Sequence, residues 1–316
     1  FARIRRRNLV AAGTAVSCRA IALATAFAET PPVVTPAGNP VTEQKRVLGK
    51  ILFWEEQLSA DNTVACGTCH LPATGGGEPR AATHPGADLQ FGTADDAVGS
   101  IGVIRADPTG RYEKDPSFGL SRQVTARNAP SFFGSLWSGD TFWDGRARST
   151  FRDPVTDAVV LPADAALESQ VVGPPVSSVE MAHASRDWSQ ITAKLATARP
   201  LALASNVPPD AASAIAARPS YPELFAAAFG DATISGARIA MAIATYERTL
   251  VPDQSPFDLF RAGQTAALGP AEVRGLNAFQ APQTKCNVCH PLGAFTDHTF
   301  RNIGLRPVAE DTSRFG

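Results

Sequence analysis

The sequence predicts an all-α fold of two small domains with long loops between the helices. Apolar residues recur at helical spacing in several segments, as Val47, Leu48, Ile51 and Leu52 do within 42–53. No segment carries a convincing period-2 alternation. A helix, a loop and the pentapeptide Cys-x-x-Cys-His follow one another twice, once near each end. A chain of 316 residues has room for about two domains.

At the N-terminus, Arg3, Arg5, Arg6 and Arg7 precede a mostly apolar run over 9–27, and Ala26-Phe27-Ala28 reads as a small-residue cleavage site. Residues 1–28 are therefore expected to be an export signal, and Arg19 within the run argues against a membrane span. Cys18, following Val16-Ser17, is a weak echo of a lipoprotein signal. The first residue is Phe1 rather than Met, so an incomplete N-terminus is expected. A Pro-rich lead-in over 29–40 should be extended. The helix over 42–53 then leads into Cys66-Gly67-Thr68-Cys69-His70. From 72 to 119, Gly, Pro and Asp dominate without a sustained period, which predicts a long loop around the first motif. Helical patterns return at 188–198, Tyr221–Phe229 and 235–250. The last is apolar nearly all round from Ile239 to Tyr246 and should be buried. Residues 270–279 repeat the first helix ahead of Cys286-Asn287-Val288-Cys289-His290. The expected layout is a domain over 29–185 and another over 186–316.

Each pentapeptide is the attachment site of a c-type haem. Two thiols at this spacing reach neighbouring vinyl edges of one porphyrin, while the adjacent imidazole turns beneath it to bind the iron. Zinc would require about four clustered ligands, whereas the two Cys-x-x-Cys pairs lie near opposite ends of the chain. A thioredoxin-like dithiol would require a βαβ frame that neither flank shows, and disulfides would not explain two adjacent His residues. Cys66, Cys69, Cys286 and Cys289 are thus expected to carry two haems c, with His70 and His290 as axial ligands. The two units then read as cytochrome c-like domains. Haem c is attached outside the bacterial cytoplasm, which fits an exported, periplasmic protein. The net charge of −1 leaves no footprint for nucleic acid or anionic membrane, and hydrophobic content of 44% is ample for a core.

Leu58-Ser59-Ala60-Asp61 precedes the first motif, and between the two motifs stand Arg127-Asn128-Ala129-Pro130-Ser131 and Phe142-Trp143-Asp144-Gly145-Arg146. Leu167-Glu168-Ser169-Gln170, Gly173-Pro174 and Val179-Glu180-Met181 follow. In this order, over roughly 41–316, the chain resembles the bacterial dihaem cytochrome c peroxidases and the related MauG-type enzymes. The resemblance implies a peroxide site at the haem of His70. Glu180 is there the distal carboxylate that carries a proton between the two oxygens of H2O2. Gln170 and Pro174 would complete the pocket wall, and Trp143 would relay electrons between the haems. Asn128 would supply an oxygen to a Ca²⁺ between the domains. The implied reaction is reduction of H2O2 to water. Electrons would come from a small periplasmic cytochrome c or blue-copper protein and enter at the C-terminal haem. The resemblance also admits a homodimer.

Three departures accompany the match. The peroxidases carry a movable His a few residues before the Arg-Asn-x-Pro segment, where this chain has Leu120. His84 in the loop is the candidate substitute; without one, the first haem would be five-coordinate, as in MauG-type enzymes that oxidise a residue of a partner protein. An extra segment spans 150–165. Finally, the family's distal ligand to the second haem lies well beyond the second motif, whereas this chain stops soon after His290. Met181 and Met241 belong to other elements, and His298 is too close to His290 to cross the ring. The C-terminal domain is therefore expected to be incomplete. A plain dihaem electron-transfer cytochrome, with no role for Glu180, is the reading from a different class.

Overall fold

The structure, a computed structural model, describes residues 31–80 and 82–304. The export signal expected over 1–28, with Cys18, lies outside these residues. In chain order the helices are α1 (Glu43–Phe53), α2 (Cys66–Cys69), α3 (Ala166–Val171), α4 (Trp188–Thr197), α5 (Pro209–Ala217), α6 (Tyr221–Phe229), α7 (Gly236–Glu247), α8 (Pro256–Arg261), α9 (Pro270–Gln280) and α10 (Cys286–Cys289). The strands are β1 (Ala82–His84), β2 (Ala97–Gly99), β3 (Ile101–Ile104), β4 (Arg122–Val124), β5 (Phe151–Arg152) and β6 (Val159–Leu161). They form three separate antiparallel pairs, β1-β2, β3-β4 and β5-β6.

These pairs correct the all-α expectation and show that the segments 72–119 and 150–165 are not wholly irregular. Strands of two to four residues are too short to display an alternation, so the periodic signal was absent even though the pairing is there.

Helix ends follow capping chemistry. Ser220 and Ser255 accept from the backbone N–H three residues on, and Glu223 and Asp258 reach back to them, closing capping boxes at α6 and α8. Thr42 and Ser235 cap α1 and α7 in the simpler way.

The core forms where α1 crosses α7, with α3, α5 and α6 packed around the pair. Leu48, Ile51, Leu52 and Phe53 of α1 meet Ile239, Ala242, Ile243 and Tyr246 of α7. The crossing is close because Gly49 has no Cβ: one built there would lie 1.9 Å from the Ala242 carbonyl oxygen. Gly49→Ala should therefore lower stability by about 1–3 kcal/mol through overpacking, outweighing the roughly 1 kcal/mol that Ala gains in helix propensity. A denaturation midpoint equal to or above wild type would contradict so tight a crossing.

One core cluster takes Val47, Val103, Phe132, Val171 and Met181 together with Trp188, Ile191, Tyr221 and Ile243. It therefore spans the boundary expected at 185/186. A buried polar network ties α3, α7 and the lead-in together: Arg248 donates to both oxygens of Glu168 (2.7 and 2.8 Å), and Asn39 donates to Glu168 and accepts from Lys45. By contrast, no residue from 251 to 304 is fully buried. There Phe257, Phe279 and Phe295 cluster edge-on beside the second motif.

Candidate functional site

Each Cys-x-x-Cys forms a single helical turn, α2 or α10, and each following His is its C-cap, with its backbone N–H bonded to the first Cys carbonyl. Both imidazoles are then oriented in the same way. His70 Nδ1 lies 3.1 Å from the Gly76 carbonyl oxygen, and His290 Nδ1 lies 2.8 Å from that of Phe295. A carbonyl only accepts, so Nδ1 carries the proton in both rings and Nε2 is left bare for a metal. Burial depresses the His70 pKa, against the opposing pull of the Gly76 carbonyl, so the ring is neutral as a ligand must be. Among the described residues, the four motif cysteines form no disulfide. Burial pushes Cys66 and Cys69 up to about 12. Two thiols three residues apart and an imidazole whose Nδ1 faces a backbone carbonyl, leaving Nε2 for the iron, are the donor set that haem c requires, and both ends of the chain supply it.

Around the first motif the chain is held tightly. Gly67 packs on the Trp54 ring, which a Cβ would meet at 2.4 Å. Arg80 pairs with the buried Glu78 carboxylate (2.5 Å) and reaches within 3.8 Å of the Cys69 sulfur. On the opposite flank, β3 lies between Cys69 and Glu180. The Cys69 sulfur is 3.8 Å from the Ile101 carbonyl, and Val103 N–H donates to the Val179 carbonyl at 3.0 Å. Gly102 makes the approach fit, since a Cβ there would sit 1.9 Å from the Val179 oxygen and 3.0 Å from the Glu180 Cα.

Arg186, buried, donates to the carbonyls of Leu58, Pro175 and Met181, and Ala60 N–H donates to Met181. The Leu58–Asp61 and Glu180-Met181 segments, far apart in sequence, are thereby joined. Glu180 itself is half-buried. Burial raises its carboxyl above the ordinary range, with Ser177 and the charge of Arg146 opposing, and its charge is felt at both Cys66 and Cys69. Gln170 is half-buried on the last turn of α3, two residues beyond the anchored Glu168.

Trp143 is 58% exposed and lines a cleft of about 260 Å³ with Pro130, Thr141, Phe142, Thr296 and His298. The cleft thus lies between the segment after the first motif and the segment after the second. Its near wall is rigid: Asp144 is buried and receives Arg127 and Arg146, while Arg146 stacks 3.7 Å over the Phe142 ring. Asn128 is exposed, with Oδ1 accepting from Ser100 at 3.2 Å. Among the described residues no group of three or more His, Cys, Asp or Glu is gathered as a metal cluster.

His84 accepts from Gly86 N–H at Nδ1 and tilts against Phe118 on the β1-β2 hairpin, while Leu120 is 65% exposed. Sequence reasoning missed β3 and Arg186, which hold Glu180 in place. The β-branched run Ile101-Gly102-Val103-Ile104 is the only local signal of that strand.

The family model described as di-haem cytochrome c peroxidase matches residues 43–266. The chain belongs to the di-haem cytochrome c peroxidase family. Among curated relatives it is 28% identical over 274 residues to the methylamine utilization protein MauG of Methylophilus methylotrophus, covering 86% of this chain and 60% of that protein. It is 29% identical over 255 residues to the cytochrome c551 peroxidase of Pseudomonas aeruginosa, covering 80% and 52%. The chain thus spans just over half the length of these di-haem relatives. A MauG-like protein associated with microbial copper homeostasis aligns structurally with a TM-score of 0.50 at 24% identity, over 87% of this chain and 61% of that one, a likeness of fold. Family membership and the twin donor sets agree on two haems c. No helix among the described residues is long and apolar enough to cross a membrane.

Proposed function

We propose that this chain is the peroxidatic part of an exported dihaem cytochrome c peroxidase that reduces H2O2 to two waters. Two cytochrome c-like units would carry the haems. Because the core runs from Val47 to Tyr246, the first unit is proposed to extend to about residue 250 and the second to hold 251–316. The observation that carries the reading is Glu180, a half-buried carboxyl electrostatically linked to both thiols of the first motif and clamped by β3 and Arg186.

The bound haem supplies the electron transfer and the site at which peroxide is activated. The protein's share is proton handling and orientation. Glu180 takes the proton from the near oxygen of H2O2 and returns it to the far oxygen, so that the far one leaves as water. Its raised proton affinity suits a group that must both accept and release. Gln170 is assigned to hold the peroxide by a hydrogen bond, and His70, oriented by Gly76, would be the residue that holds the haem iron.

Electrons are proposed to enter at the His290 haem from a small periplasmic cytochrome c or blue-copper protein and to cross by Trp143. Asn128 is proposed to donate one oxygen to a Ca²⁺ near the same cleft; its Oδ1 keeps a second lone pair beside the Ser100 bond.

A second reading, oxidation of a residue in a partner protein, is favoured by Leu120, which offers no nitrogen where the switchable peroxidases have their blocking His. Adding H2O2 to the fully oxidised, haem-loaded protein separates the readings by optical and EPR spectroscopy. Reaction only after one-electron reduction supports the switchable peroxidase. Immediate loss of a high-spin ferric signal supports the second reading. No reaction in either state leaves an electron-transfer cytochrome and sinks both enzymatic readings.

A further inference from the structure

We propose that Glu247 is a second proton-carrying carboxyl of the first haem site, taking a proton from water when that haem accepts an electron and releasing it on reoxidation. The proposal rests on the reading that a haem is joined to Cys66 and Cys69.

Glu247 is the last residue of α7 and is 5% exposed, and its buried Oε2 has no hydrogen-bond partner. A carboxylate in that state is costly, because an ion removed from water needs a partner. The neighbouring groups withhold one. Arg248 stands beside it, but its guanidinium is committed to both oxygens of Glu168 and to the carbonyls of Val34 and Asp164. Glu168, facing from α3, repels a second negative charge. On α1, Lys45 is bonded to Asn39 and Pro40, and Arg46 and Lys50 are bonded to Asp210. From α2, the group that feels Glu247 is Cys66, and among charged neighbours Glu247 acts on this thiol more than Cys69 or Glu180 does.

Burial therefore holds the acid up to about 8, with Arg248 opposing and Glu168 reinforcing. Glu247 is thus neutral near pH 7 and acts on the atom to which the porphyrin would be joined. Reduction of the haem adds one negative charge to the site and so raises the proton affinity of a nearby carboxyl. The electron comes from the donor protein or a chemical mediator and the proton from water. Above about pH 8, where Glu247 is ionised beside the oxidised haem, its O–H bond forms on reduction and breaks on reoxidation, so that proton becomes available in the half of the cycle that consumes protons to make water.

Spectroelectrochemical titration of the haem-loaded full chain tests this. In the wild type the potential of the first haem should fall as pH rises through about 8, where one proton accompanies the electron. Glu247→Gln, which mimics the neutral acid, should flatten the profile, while Glu180→Gln should retain it. Redox-difference infrared spectra should show a carboxylic C=O band that Glu247→Gln removes. If that variant fails to fold, Glu247→Asp, which keeps the acid but moves it, should shift the midpoint of the profile and the band. A profile and band indifferent to both substitutions overturn the proposal with the haem reading intact. Absence of covalent haem on Cys66 and Cys69 by mass spectrometry overturns both.

Discussion

Glu180→Gln is expected to slow the reaction of the haem-loaded protein with H2O2 by about 10²- to 10⁴-fold, the range that a positioned proton carrier contributes. The substitution keeps the shape and hydrogen bonds of the side chain but removes its capacity to accept a proton. Both haems should remain attached, because the residues that hold them, Cys66, Cys69, Cys286 and Cys289, are untouched. The wild-type rate should also depend on pH with a definite sign. Burial raises the Glu180 pKa, and the carboxylate is the form that accepts the first proton, so the rate should climb as pH rises through that raised value and then level off. The Gln variant should lack this limb. Stopped-flow traces showing wild-type rates in the variant would remove Glu180 from the mechanism.

Arg248→Met should cost about 3–5 kcal/mol of stability, measured by denaturant unfolding of the haem-loaded protein. The Arg248 and Glu168 side chains are 2% and 0% exposed. Deleting the guanidinium leaves a buried carboxylate whose remaining partner is the Asn39 amide. Coulombic attraction in this dry setting is only part of the loss; the desolvation of the abandoned ion is the rest. The double variant Arg248→Met/Glu168→Leu should therefore recover most of the deficit, since it removes both charges and replaces them with apolar volume. If the double variant were as unstable as the single one, the loss would have come from packing rather than from an orphaned charge. Because α3 carries Gln170 on its last turn, the single variant should also weaken the reaction with peroxide.

The attachment chemistry was legible in the sequence because it is local: two thiols and an imidazole within five residues need no tertiary information. The helices with a strong apolar stripe, α1, α6 and α7, were legible for the same reason. The short strands were not, since β3 is defined by its contacts with Val179 and β4 rather than by any internal pattern. Nor was the reach of the core cluster. Residues after 186 look like a fresh start in sequence, yet Trp188, Ile191 and Ile243 bury in the same cluster as Leu52. Glu180 could be singled out only through its motif, for an isolated Glu is ordinarily a surface residue. Nothing in its neighbours in sequence announces that Gly102 or Arg186 will hold it. Glu247 and its orphaned oxygen were invisible for a related reason, because the sequence Tyr246-Glu247-Arg248 reads as the polar end of a helix.

The seating of β3 between Cys69 and Glu180 has an architectural consequence. Its backbone, narrowed by Gly102, works as a spacer one strand thick, and the Cys69 sulfur and the Val179 carbonyl both rest on main-chain atoms of the strand. The separation between the first attachment turn and the Glu180 segment is therefore indifferent to most side-chain changes along the strand. The long excursion from Pro72 to Gly119 can lengthen, shorten or change its surface, and the gauge across the pocket stays the same so long as that one strand is kept and position 102 carries no side chain.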